Sequence, residues 1–282
     1  MRIRSLTVMV ALAGCLPAAD HEPAAPPPDL ERERLEYANW LETAPTSPYR
    51  ALLQFPLADS ITIGPPGGDI PLTGIEPLTI VADGARLRAS RAAGTRPLTR
   101  DRAFPEGSYH LLLSGPPGRT VLTVFGDRLR EYSRPEHFAR DSSWRFEVAL
   151  EPGDRSGVVR LLGPDGAEVE ATDAGTVRVP TGAGSSSLQV YRMSAVGSEE
   201  SELEIFFRDA TSGGDTYPAG RFVSLVPRGG GRYVLDFNRA RNPFCAYNAA
   251  YACPAPWRGN TIDAAVTAGE RYAGGGLDAP PT

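Results

Sequence analysis

Trp144-Arg145-Phe146-Glu147-Val148-Ala149-Leu150 alternates large apolar residues with polar or small ones. A chain that turns one face to a core and the other to water at every second residue is a β-strand, not a helix. The same period runs through Leu203, Ile205 and Phe207, set between Glu202, Glu204 and Arg208. It recurs in Tyr233, Leu235 and Phe237, set between Val234, Asp236 and Asn238. Short apolar runs at 78–81, 109–114, 120–125, 158–162, 188–192, 222–226 and 261–266 fit the same reading. Turn signals separate them: Asp83-Gly84, Pro116-Pro117-Gly118, Pro152-Gly153-Asp154, Gly163-Pro164-Asp165-Gly166 and Gly229-Gly230-Gly231. Many short strands joined by tight turns predict a mainly β fold of antiparallel sandwich or barrel sheets.

One helix stands apart from this pattern, at 29–43. Asp29 suits its N-cap, Glu31 and Glu33 its first turn, and Pro45 follows its end. Leu30, Tyr37 and Leu41 fall on one face. A helical segment over 29–48 is therefore expected as a lid or strut on a sheet edge. The charged stretch 131–143 contains Pro135 and lacks an apolar period. It separates an N-terminal β-lobe (49–130) from a C-terminal one (144–272). The Gly- and Pro-rich tail, 273–282, is expected to be disordered.

The head of the chain reads as an address. Arg2 and Arg4 precede an apolar run at 6–13, and Leu12-Ala13-Gly14-Cys15 closes it. That run is too short to cross a bilayer, and its flanks are those of a secretory signal. The four residues ending at Cys15 resemble the bacterial lipoprotein box, which implies a signal peptide at 1–14 and lipidation of Cys15. The plainer alternative is an ordinary signal with a stray cysteine. Residues 15–28 are rich in Ala, Pro and acid and read as an extended tether. The expected location is the cell envelope, with the membrane as a partner through the lipid. Leu16 after the cysteine points to the outer membrane where two membranes exist.

Composition narrows the chemistry. A net charge of −5 gives no basic surplus for a nucleic-acid binder. Lysine is absent and all 29 cations are arginine, so P-loop, Schiff-base and Ser-Lys mechanisms are excluded. No cofactor is expected. With Cys15 lipidated, Cys245 and Cys253 remain as a pair in an exported protein, and a disulfide is the default. A reactive Cys245 thiol is the alternative; a metal site lacks a second pair and is not expected.

The block from 207 to 270 has a resemblance of its own. It contains Phe207-Arg208-Asp209-Ala210-Thr211-Ser212-Gly213, Thr216-Tyr217, Gly220-Arg221 and Leu235-Asp236-Phe237-Asn238. Asn242-Pro243-Phe244-Cys245-Ala246-Tyr247, Cys253-Pro254 and Ala268-Gly269-Glu270 follow. In these runs residues 144–271 resemble domain-of-unknown-function family 1684. The family's usual Pro-Pro-x-Glu-Asn is here Pro256-Trp257-Arg258-Gly259-Asn260, which keeps the asparagine and loses the carboxylate. In the first half, 61–78 is similar to a family segment that itself looks like the start of a forkhead-associated β-sandwich. The resemblance names no activity.

Ionisable and amide side chains crowd that block. Arg208, Asp209, Thr211, Tyr217, Arg221, Asp236, Asn238, Asn242 and Tyr247 are the candidate ligand-binding residues. Arginine forks suit a carboxylate or phosphate, amides and hydroxyls add neutral hydrogen bonds, and tyrosines add flat area. If the strands carrying them pair through the intervening one, these groups converge on a single patch. The expected protein is thus a β-rich binding or scaffold protein for a small polar ligand or envelope component. One alternative is a hydrolase-like enzyme acting on a sugar or envelope polymer through Asp209 and Asp236. Another is a protein-binding module using the loop at 63–69. Against all three stands a structural reading, in which Asp209 and Arg221 lock a hairpin and the asparagines bond loop backbone.

Overall fold

The computed structural model describes residues 29–129, 132–153, 157–182, 184–194 and 201–272. The signal, Cys15, the tether and the tail lie outside the described residues. Helix α1 (Leu30–Thr43) begins where Asp29 Oδ1 accepts a hydrogen bond from Glu31 N at 3.2 Å, and stops at Ala44, before Pro45.

The first nine strands are β1 (Ala51–Leu57), β2 (Ser60–Gly64), β3 (Ile70–Pro71), β4 (Leu78–Asp83), β5 (Arg86–Arg91), β6 (Gly94–Leu98), β7 (Phe104–Glu106), β8 (Tyr109–Ser114) and β9 (Thr120–Phe125). They form two sheets, in the orders β3-β2-β4-β5-β6 and β1-β9-β8-β7. Ile61, Ile63, Leu78, Ile80 and Leu87 from the first share one core with Leu111, Leu113, Leu122 and Val124 from the second. This is a sandwich, antiparallel except for the β2–β3 pair. The loop at 63–69 folds back on β2, where Asp69 Oδ2 accepts from Thr62 N at 2.7 Å.

The remaining strands are β10 (Arg145–Ala149), β11 (Val158–Leu162), β12 (Glu168–Thr181), β13 (Gly184–Ser194), β14 (Ser201–Asp209), β15 (Arg221–Gly229), β16 (Arg232–Asp236) and β17 (Thr261–Ile262). The sheet runs β10-β16-β15-β14-β13-β12-β11, with β17 parallel to β14. It curls until Glu151 and Thr176 exchange backbone hydrogen bonds of 2.8 Å, without closing into a barrel. Alternation then sorts the side chains. Phe146, Val148, Leu203, Ile205, Phe207, Leu235 and Phe237 pack inside the curl. Phe206, Phe222, Tyr191 and Met193 lie on the outer face, under Trp257.

Residues 132–141 bind both sides of the molecule. Tyr132 Oη donates to Ala38 O at 3.1 Å, Tyr49 Oη to Ser133 O at 2.9 Å, and Phe138 N to Gly269 O at 2.9 Å. The lobes also touch directly. Asn248 Nδ2 donates to Pro48 O and Ala51 O at 2.8 Å each, and Gln54 Nε2 to Asp165 O at 2.9 Å. Helix α1 docks on the turn and loops that follow β16. Arg34 reaches Asn238 O at 3.1 Å, and Glu33 pairs with Arg239 at 2.7 Å.

Candidate functional site

The candidate residues do not meet in one place. Strands β14 and β16 do pair through β15, but the register separates their acids. Glu204 faces Ser224, and Leu225 faces Leu235, so Asp236 lies level with Glu204. Asp209 is five residues further along β14, roughly 16 Å at the strand rise, and an odd offset puts it on the opposite face. Asp209 points inside the curl and Asp236 outside it. The convergence expected from strand order fails because of this parity, and with it the geometry for an Asp209/Asp236 catalytic pair.

Asp209, Thr211 and Arg221 form a sealed lattice. Arg221 is fully buried. Its Nη2 donates to Asp209 Oδ2 at 2.9 Å and to Val266 O at 3.0 Å. Its Nη1 donates to Ala268 O at 2.5 Å and Glu270 O at 3.1 Å. Asp209 Oδ1 accepts from Thr211 N and Oγ1 at 2.8 and 2.6 Å, and from Val266 N at 3.2 Å. The guanidinium also stands 5.3 Å from the Phe207 ring centroid. Burial lowers the Arg221 pKa, and the Asp209 charge opposes that. These groups tie the strap 266–270 across the end of the curl, and in this state no ligand reaches them.

Asp236 and Asn238 make a second network, on the outer face. Asp236 caps a 3₁₀ turn, with Oδ1 accepting from Asn238 N at 3.1 Å and from Asn238 Nδ2 at 2.8 Å. Its Oδ2 meets Arg239 at 2.7 Å. Asn238 also exchanges bonds with the Asp141 backbone, at 2.9 and 2.8 Å.

Asn242 and Tyr247 converge on a residue that sequence reading passed over, Glu270. Its Oε2 accepts from Asn242 N at 2.9 Å and its Oε1 from Tyr247 Oη at 2.6 Å; Tyr37 Oη lies 3.3 Å beyond. Burial raises the Glu270 carboxyl to about 7, against the hydrogen bonds that favour its charge. Gly269 sets this position. Its φ is +80°, and a Cβ there would stand 2.6 Å from Phe237 O. Of the other candidates, Tyr217 packs beside the Cys245–Cys253 disulfide, whose Cα atoms are 5.5 Å apart, and its Oη lies 3.2 Å from Cys253 Sγ. Arg208 is exposed. Asn260 bonds Gln189 and the Phe206 carbonyl, a structural latch. Among the described residues, no three His, Cys, Asp or Glu side chains group as metal ligands.

What these networks border is a hollow of about 550 Å³ between α1, strands β14 and β15, and residues 238–241. Leu30, Glu33, Arg34 and Tyr37 line it from the helix. The spacing i, i+3, i+4, i+7 puts them on one face, the face that a purely structural helix fills with apolar side chains. Asn238, Arg239, Ala240, Arg241 and Glu270 form the opposite wall, with His137 beside them. Leu225, Val226 and Pro227 add an apolar side, and Arg192 and Glu202 stand at one end. Arg34 Nε is buried with no partner in the protein. Arg241 pairs with Glu204 at 2.9 Å while 37 % of its side chain stays exposed. Burial, helped by the nearby Arg34 charge, holds His137 neutral, with a pKa of about 4. The arrangement can hold an anion by arginine forks and press a ring or hydrocarbon on the apolar side. Of the sequence candidates only Asn238 lines it. Arg34, Arg239, Arg241 and Glu270 were missed; the helical spacing of Leu30, Arg34 and Tyr37 was the available signal for the first.

An α1-covered, curled β-sheet joined to a β-sandwich, with a polar hollow under the helix, defines the class: a mainly β protein with a candidate small-molecule cleft. The chain belongs to the DUF1684 family, described as a protein of unknown function, whose model matches residues 130–271. Among solved structures, the chain is similar to the solution NMR structure of the uncharacterized protein from gene locus rrnAC0354 of Haloarcula marismortui. The two are 33% identical, over 50% of this chain and 77% of that one, with a TM-score of 0.43. No curated protein matches the chain.

Proposed function

We propose that the protein is an exported, lipid-anchored binding protein of the cell envelope. Its ligand is a small organic anion with a ring or apolar body, a sugar acid being the type. The observation that carries this reading is the hollow under α1, where half-buried arginines and an apolar side face each other in a volume of about 550 Å³. Arg34 and Arg241 grip the anionic group and Tyr37 offers a ring face. Glu270, able to carry a proton near neutral pH, donates to or accepts from the ligand. The address rests on Arg2, Arg4 and the Leu12-Ala13-Gly14-Cys15 run. The Cys245–Cys253 disulfide agrees with an oxidising compartment.

Calorimetric titration with glucuronate, and with glucose as its neutral control, tests the ligand class. Glucuronate should bind and glucose should not, and Arg241→Gln should weaken binding about tenfold. Equal binding of both sugars, or of both proteins, contradicts the reading. For the anchor, Cys15→Ser expressed in a bacterium should abolish incorporation of labelled palmitate; undiminished labelling contradicts it.

A further inference from the structure

We infer that a second hollow, between the two lobes and independent of the arginine-lined cleft, binds a small organic cation of the quaternary-ammonium kind. It encloses about 320 Å³, and Trp40, Asp101, Phe125, Asp165, Phe244 and Tyr251 line it. No arginine or histidine is among its lining residues, so its only formal charges are the two carboxylates. Among the described residues neither Asp101 nor Asp165 makes a direct ion pair, although the Arg100 charge, outside the lining, acts on Asp101.

Three features make this a built site rather than a gap. Tyr251 is only 5% exposed, and its hydroxyl has no partner in the protein. A buried phenol left unpaired is destabilising unless something meets it. The rings run together: Phe244 lies 5.9 Å from Trp40 and 5.5 Å from Tyr251. The Asp165 carboxylate accepts from Ala167 N at 3.2 Å, and the Asp101 backbone is fixed by its own amide on Leu113 O at 2.9 Å. Burial raises Asp165 to about 6, and the Asp101 charge adds to the rise. At Asp165 burial outweighs the backbone hydrogen bonds, and at Asp101 it outweighs the Arg100 charge and a Ser114 hydrogen bond, so both carboxyls stay short of compensation. Aromatic faces beside carboxylates attract a cation that is too weakly hydrated to prefer water. A methylated ammonium meets that description; a hydrated metal ion does not.

The test is calorimetric titration of the full chain with choline, its neutral tert-butyl isostere and calcium chloride. Choline should bind at least about tenfold more tightly than the isostere, and calcium should give no heat. Asp165→Asn keeps an oxygen for Ala167 N, and with Asp101→Asn as a second variant it should cost choline about tenfold. Circular dichroism establishes that each variant is folded. Equal binding of choline and its isostere, no choline binding by folded wild type, displacement of choline by calcium, or unchanged affinity in both variants overturns the inference. Glucuronate binding is unaffected by any of these results, so the two sites fail or stand separately.

Discussion

Nη2 of Arg221 lies 2.9 Å from Oδ2 of Asp209, and the two side chains are 0% and 1% exposed. The pair was a candidate for ligand recognition by composition and is a lock by geometry. Desolvating both charges is costly, and the three carbonyls of Val266, Ala268 and Glu270 are what make the guanidinium tolerable there. Because Glu270 presents its carbonyl to this lock and its carboxyl to the cleft, the lattice inside the curl positions one wall of the outer site.

Removing one partner of the lock should be expensive. Asp209→Ala leaves Arg221 charged, buried and short of a counter-ion, and should lower unfolding free energy by about 3–5 kcal/mol. Urea denaturation monitored by circular dichroism reads this directly. A loss within about 0.5 kcal/mol of zero would mean the pair is not sealed.

Glu270 should give stability a pH dependence opposite to that of a salt-bridged carboxylate. Its ordinary value is 4.5 and the folded value is about 7. Between the two, the native state keeps a proton that the unfolded chain has released. Its contribution is fully present below about pH 4.5 and is lost as pH rises through 7. Asp165, raised from 3.8 to about 6, acts in the same direction. His137, lowered from 6.5 to about 4, opposes them in that window and adds nothing further above it. Glu270→Gln should therefore flatten the fall in stability above about pH 6.5, as seen in denaturation midpoints. An unchanged slope contradicts the assignment.

The disulfide closes a loop with a sequence separation of 8. Replacing both cysteines by serine should cost about 2–3 kcal/mol by the chain-entropy argument. Melting with and without reductant measures it, and reductant should leave the serine variant unaffected. A wild-type melt insensitive to reductant under conditions that free both thiols contradicts this.

Much of the fold was legible. The runs at 109–114, 120–125 and 158–162 are strands with those bounds, and three alternating segments supply the inner core of the curl. What escaped has physical causes. Strand β6 is exposed along nearly its whole length and contains Pro97, so it carries no apolar period. The long β12 shifts register between Asp173 and Gly175, which breaks a count of two. The run at 261–266 is a strand only at Thr261–Ile262, because the chain then turns to make the strap that receives Arg221. The site was harder to read. Sequence density of polar residues marked 208–247, but side-chain parity across β14, β15 and β16 decides which face each occupies, and bare motif content cannot supply that. The cleft also takes a wall from α1, some two hundred positions away in sequence, as the Arg34–Asn238 contact shows.

Hydrogen–deuterium exchange with and without glucuronate reports where a ligand acts without any substitution. Exchange should slow in Leu30–Thr43 and in residues 238–241, and the strands around Asp209 and Arg221 should be unchanged. Protection confined to those strands, or none in α1 at saturating glucuronate, would contradict binding under α1.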